Sequence, residues 1–170
     1  YIVELDPAGG CAKPEAAEHV QGVLFVVAGK LELMLEGELH KLDPGSYVYL
    51  APNSGWSIKN AADEKATVHW LRKKYQYVDG LEVPNSFVTH ELDTAPLEMP
   101  DTNWTWSTTR FVNPADMRHD MHVNIVNIQP GGVIPFLETH VMEHGLYVLE
   151  GKGVYRLNQD WVEVEAGDYM

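Results

Sequence analysis

Leu31, Leu33 and Leu35 alternate with Lys30, Glu32 and Met34. That period of two predicts a strand with one face on a core. Glu36-Gly37 then turns the chain, Leu39 to Leu42 returns it, and Pro44-Gly45 turns it again. Tyr47, Tyr49 and Leu50 enter a further strand that ends at Pro52, Asn53 and Gly55, and Val68 to Leu71 supplies another. The same succession recurs in Leu146 to Leu157, Asn158 to Asp160 and Trp161 to Val164. Short, regularly spaced strands with few helical stretches predict an all-β protein, either an antiparallel barrel or a double-sheet sandwich.

The recurrence is a sequence repeat. At an offset of 122, residues 9–48 align with 131–170 without a gap, and nine of the forty positions are identical. They include Gly9/Gly131, Gly10/Gly132, Gly29/Gly151, Gly45/Gly167 and Tyr47/Tyr169. Ordinary composition gives roughly one identity in fifteen, and glycines, which mark turns, lead the matches. Two copies of one β-module are therefore expected: a first module over 1–78, a connector over 79–121 and a second module over 122–170. The chain opens on Tyr1 in mid-pattern and stops at Met170 inside an apolar strand, so the second module is expected to be incomplete at its C-terminus, as part of a longer polypeptide.

The connector carries mixed signals. Arg72-Lys73-Lys74 reads as a solvated strand end, Val83 to Leu97 as a turn-rich stretch, and Asn113-Pro114-Ala115-Asp116 as one capped helical turn. Trp104 and Trp106 alternate with polar residues and are expected to pack a module against its neighbour or a second subunit.

Composition narrows the function classes. With 45% hydrophobic and 22% charged residues the chain has the makings of a globular core. A formal charge of −13 disfavours nucleic acid and anionic membranes as partners. The longest apolar run, Val23 to Ala28, is too short to span a bilayer, and a cytoplasmic location is the default expectation. The single cysteine, Cys11, excludes an intrachain disulfide and reads as a small buried residue.

Candidate chemistry gathers in one place. Glu138, His140 and His144 fall within seven residues, and one carboxylate with two imidazoles suits a divalent first-row metal. In a strand Glu138 and His140 share a face, and His144 comes from beyond a short turn. His140 to His144 also spells the H-x-x-E-H motif of helical zinc proteases, but Pro135, Thr139, Val141 and Gly145 speak against a helix there. The repeat provides a control. Glu138, His140 and His144 pair with Ala16, Glu18 and Gly22, so the first copy lacks the constellation. Tyr155 stands where the first copy has Leu33, and is expected to face inward beside the metal as a packed core tyrosine or a substrate contact. His122 and Asn124, two apart, either line the cavity or face solvent; His40, His69, His90 and His119 read as surface or packing residues.

Gly132, Glu138, His140, His144 and Gly151 fit the cupin motif position by position: a glycine, five residues, ligand-x-ligand-x-x-x-ligand, six residues and a closing glycine. Cupins usually run His-x-His and then Glu, whereas this chain runs Glu-x-His and then His. With the inert first copy and the stretch Glu138 to Tyr169, that order resembles the bicupin ureidoglycine aminohydrolase family, closely over 120–170 and more loosely over 1–80. The resemblance implies two tandem jelly-roll modules and hydrolytic release of ammonia from a small anionic ureido substrate in purine (allantoin) catabolism. The metal it implies is Mn2+, with Fe2+, Zn2+ and Ni2+ as alternatives, on Glu138, His140, His144 and a glutamine beyond Met170. Glu138 would also carry protons, Tyr155 would meet substrate, and the protein would be a homo-oligomer. The family tends towards Asp-x-Asn-x-His where this chain has Asp120-x-His122-x-Asn124. A cupin dioxygenase or isomerase, and a non-enzymatic binding bicupin, are the competing expectations.

Overall fold

The computed structural model describes all residues, Tyr1 to Met170, and forms two compact units, Tyr1–Val133 and Ile134–Met170. It is all-β apart from one 3-10 turn, and contains no helix long and apolar enough to cross a membrane.

The first unit opens with β1 (Ile2–Leu5), β2 (Gly10–Cys11), β3 (Val20–Ala28), β4 (Leu31–Leu35), β5 (Glu38–Leu42), β6 (Ser46–Leu50), β7 (Trp56–Lys59), β8 (Ala66–Lys74) and β9 (Phe87–His90). They form a five-stranded sheet, β1-β8-β3-β6-β9, and a four-stranded sheet, β2-β7-β4-β5, antiparallel throughout. One apolar core lies between them: Leu24, Val26, Val48 and Val68 from the first sheet meet Leu31, Leu33, Leu35, Leu42 and Ile58 from the second. The alternation read in Leu31, Leu33 and Leu35 is the inward face of β4, and each is buried. Asn60 is fully buried among these residues. Its amide donates to the Leu5 and Glu64 carbonyls and accepts from the Ala62 N–H, which meets the hydrogen-bonding requirement of a buried polar side chain.

The outer face of the five-stranded sheet is also covered. Val23, Tyr47 and Tyr49 pack with Phe25, Phe87, Phe111, Met121 and Val123, and the Tyr47 and Phe111 rings stack at 4.1 Å. Polar bonds hold the connector there. Gln21, fully buried on β3, accepts from the Tyr49 hydroxyl and donates to the Asp120 carboxylate; Asp120 accepts in turn from the Gln76 N–H, and Tyr75 donates to the Arg118 carbonyl. Beyond β9 come a 3-10 turn (Glu91–Asp93), β10 (Leu97–Glu98), β11 (Trp106–Arg110) and β12 (Asn124–Ile128), the last three forming a separate sheet in that order.

Several local expectations are corrected. The stretch 83–97 contains the edge strand β9, paired with β6. Asn113 to Asp116 is a tight turn, with the Asn113 side chain accepting from the Ala115 N–H and its carbonyl from the Asp116 N–H, so the asparagine caps no helix. Trp106 is buried on β11 whereas Trp104 is exposed with φ +60, because the chain turns between them instead of running as a strand. Cys11 is exposed on the short β2.

The second unit contains one hairpin, β13 (Lys152–Leu157) and β14 (Asp160–Glu165), and it repeats the β4–β5 hairpin residue for residue. Leu31↔Leu42, Leu33↔His40 and Leu35↔Glu38 become Gly153↔Val164, Tyr155↔Val162 and Leu157↔Asp160. The left-handed turn residues recur as Glu36 and Asn158, Gly29 and Gly151, Gly45 and Gly167. The bond from Gly45 N–H to the Val26 carbonyl recurs from Gly167 to Val148, both at 2.9 Å, and the Phe25↔Tyr47 pair recurs as the Tyr147↔Tyr169 bridge. Equal registers at an offset of 122 make the sequence repeat a structural one.

Candidate metal centre

Glu138, His140 and His144 lie on the stretch that leads into the second unit's hairpin. Residues 134–145 adopt neither helix nor strand, and pairing begins where Leu146 exchanges backbone hydrogen bonds with Met170, beside the Tyr147↔Tyr169 bridge. The helical H-x-x-E-H arrangement is therefore not present, in keeping with Pro135 and Gly145 at its borders. The expected strand under Glu138 and His140 is also not formed. The first copy has no strand at the matching Ala16 and Glu18 either, since β3 begins only at Val20, which matches Met142; in the second copy backbone pairing starts at Leu146, beside the Tyr147↔Tyr169 bridge.

The three side chains nevertheless come together. One ligand atom from each of Glu138, His140 and His144 lies within 4.8 Å of the others, and the two imidazole rings sit 4.4 Å apart at 61°. Three atoms no further apart than 4.8 Å lie within about 2.8 Å of a common point, against bonds of about 2.0–2.2 Å to a first-row metal. A bound ion of that kind would draw the three atoms inward by about 0.6–0.8 Å. All three residues are exposed, so a cation and its waters have access. A carboxylate oxygen and two imidazole nitrogens are an apt donor set for Mn, Fe, Ni or Zn.

The other residues of interest are placed as follows. Tyr155 on β13 is 37% exposed, on the face its counterpart Leu33 presents to the first core, where Leu33 is fully buried. Tyr169 was not singled out from the sequence. A side chain at Gly145 would meet its hydroxyl at 3.0 Å, so the ring lies against the backbone that follows His144. Its identity with Tyr47 in the repeat was the available signal. His122 and Asn124 are both exposed in the first unit, with Asn124 opening β12 opposite Arg110. In the first copy Ala16 and Gly22 offer no side-chain donor, as the repeat indicated.

The Cupin domain family model matches residues 1–72 and 124–170, which include the barrel of the first unit and the Glu138–His144 constellation of the second. The chain is a cupin. It is 32% identical over 174 aligned residues to the (S)-ureidoglycine aminohydrolase of Escherichia coli K12, covering all of this cupin and 64% of that protein. A crystal structure of a candidate glyoxylate-induced protein from Pseudomonas aeruginosa superimposes with a TM-score of 0.94 at 62% identity, covering 99% of this cupin and 63% of that chain. That of E. coli protein Ylba gives 0.86 at 30%, covering 99% and 66%. The cupin spans between about half and two-thirds of the length of its curated relatives.

Proposed function

We propose that this cupin is a metal-dependent hydrolase that converts (S)-ureidoglycine into (S)-ureidoglycolate and ammonia, a step of allantoin breakdown. The observation that carries the reading is the convergence of Glu138, His140 and His144 to within 4.8 Å in a chain whose curated relatives bear that enzyme's name. Water adds to the substrate's central carbon as its bond to the amine nitrogen breaks; the new C–O bond carries the hydroxyl of ureidoglycolate, and the amine leaves with the proton as ammonia.

Glu138, His140 and His144 would hold the metal, with Mn2+ as the first choice for a site that includes a carboxylate. When bound, such an ion supplies positive charge that offsets the chain's −13 and draws an anionic substrate. Neutral imidazoles at His140 and His144 serve as ligands. A Glu138 carboxylate oxygen takes the proton from the attacking water and returns it to the departing nitrogen. Tyr155 donates its hydroxyl to the substrate's carboxylate or ureido oxygen. A homo-oligomer is part of the same proposal.

The test is an ammonia assay on freshly prepared ureidoglycine under strictly anaerobic conditions. Release that needs no oxygen and is lost in Glu138→Gln is the expected result. Oxygen-dependent turnover, or an unaffected Glu138→Gln variant, would replace the hydrolase with a cupin oxygenase or a binding protein, both of which the same donor set leaves possible.

A further inference from the structure

The first module has a cavity of its own, of about 230 Å³, in which Ala16, Glu18 and Gly22 form part of the wall. These are the positions that match Glu138, His140 and His144 in the repeat. The cavity thus lies at the first-copy positions that match the metal triad, without the metal chemistry. Its loss of ligands is built in at Gly22: a Cβ there would come 3.2 Å from the Trp70 indole nitrogen and 3.3 Å from the Leu71 carbonyl, which leaves no room for an imidazole.

What replaces the ligands is a carboxylate beside two indoles. Trp56 and Trp70 both line the cavity and meet edge to face at 5.6 Å. Glu15 lines it as well. Its Oε1 accepts from the Arg72 guanidinium at 2.6 Å and from the Ala17 N–H at 2.8 Å, while its Oε2 is buried with no partner. Arg72 also stands over the Trp70 ring, 5.3 Å from its centre. The protein's own guanidinium therefore already uses this carboxylate and this indole, and it satisfies only one of the two carboxylate oxygens. A buried carboxylate oxygen without a donor is costly; Oε2 has almost no accessible surface as it stands, so a planar cation reaches the carboxylate when the Glu15 side chain turns into the cavity or Arg72 gives way, and on an aromatic face it then recovers that cost. Glu18 adds a second negative charge to the lining. The volume is below the roughly 300–1,000 Å³ of drug-sized pockets, so the occupant has few heavy atoms.

We propose that the metal-silent first module is a binding site for a small guanidinium compound, held by the Glu15 carboxylate against the indoles of Trp56 and Trp70. The site stands on the first unit alone and does not depend on the activity assigned to the second.

The probe is methylguanidinium chloride, titrated to about 20 mM at constant ionic strength, a range that reveals millimolar dissociation constants. The readout is the indole N–H resonances of the protein's five tryptophans. Trp56 and Trp70 should shift saturably while Trp104, Trp106 and Trp161 stay in place. Methylurea, the neutral analogue of the same shape, should bind at least about tenfold more weakly, and Glu15→Gln should weaken methylguanidinium by a similar factor. Glu138→Gln should leave the titration unchanged. Absent or non-saturating shifts at Trp56 and Trp70, equal binding of methylurea, or a folded Glu15→Gln variant that binds as well as the wild type each overturn the proposal. Should Glu15→Gln fail to fold for want of the Arg72 ion pair, the wild-type contrast between the two probes decides it.

Discussion

Tyr155 is the single side chain on which the two modules differ most informatively. Leu33 fills its position in the first copy and is fully buried in an apolar core; Tyr155 puts a hydroxyl on the same face of the matching hairpin. If that hydroxyl donates to substrate, Tyr155→Phe removes one hydrogen bond and nothing else. The expected outcome is a KM raised by about three- to tenfold with metal content unchanged, measured by steady-state ammonia release and elemental analysis. An unchanged KM would return Tyr155 to a packing role. The convergence of Glu138, His140 and His144 was legible because they are close in sequence, while their counterparts Ala16 and Gly22 offer no side-chain donor. The hydrogen bonds of Asn60 and the Glu15–Arg72 ion pair were not. Their partners come from distant residues such as Leu5 and Arg72, and no local spacing encodes such meetings.

At the scale of elements, turns and hairpins were the readable features, because their signals are local. Glu36-Gly37 and Asn158 mark the hairpin tips, and the β4–β5 and β13–β14 registers agree with the alternation. β9 escaped notice since Phe87–His90 is a short edge strand between prolines, and its strand character comes from pairing with β6. Glycines separate these contributions experimentally. Gly37 has φ +91 with nothing near a potential Cβ, whereas Gly29 has φ +79 and a Cβ there would fall 2.6 Å from the Ala66 Cα and 2.7 Å from the Lys65 carbonyl. Gly37→Ala should cost about 1 kcal/mol from the backbone alone, and Gly29→Ala clearly more, about 3 kcal/mol or above, because β8 must move. Urea unfolding of both variants measures the difference. Equal costs would mean that the β3–β8 contact is looser than the structure has it.

For the molecule as a whole, acidity and buried histidines set the response to pH. Burial lowers the pKa of His119, with the nearby Asp116 only partly opposing it, and its Nδ1 is buried without a partner. Burial, joined by the N-terminal charge, lowers that of His69 as well. A histidine whose folded pKa lies below its unfolded value of about 6.5 favours the neutral form in the native state. Its contribution is complete above that value and is lost as the pH falls towards the folded pKa. The urea midpoint of the first unit should therefore decline between about pH 7 and pH 5, and less steeply in His119→Gln; a midpoint independent of pH would contradict the burial of both rings. Whole-molecule features were unevenly legible. The repeat emerged from glycine positions and foretold the matching hairpins of the two units, but the cover that 111–123 forms over Tyr47 and Tyr49 depends on long-range packing.

The central claim is that Glu138, His140 and His144 form one metal site and that their first-copy counterparts form none. Elemental analysis of the purified protein, after loading with Mn2+ and removal of excess, tests it most directly. One equivalent per chain in the wild type, and none in His140→Ala or His144→Ala, is the expected result, with His90→Ala, which removes the cap of the 3-10 turn and contacts to Pro44 and Asp43 in the first unit, retaining the full equivalent. Equal metal content in all four proteins would contradict the account.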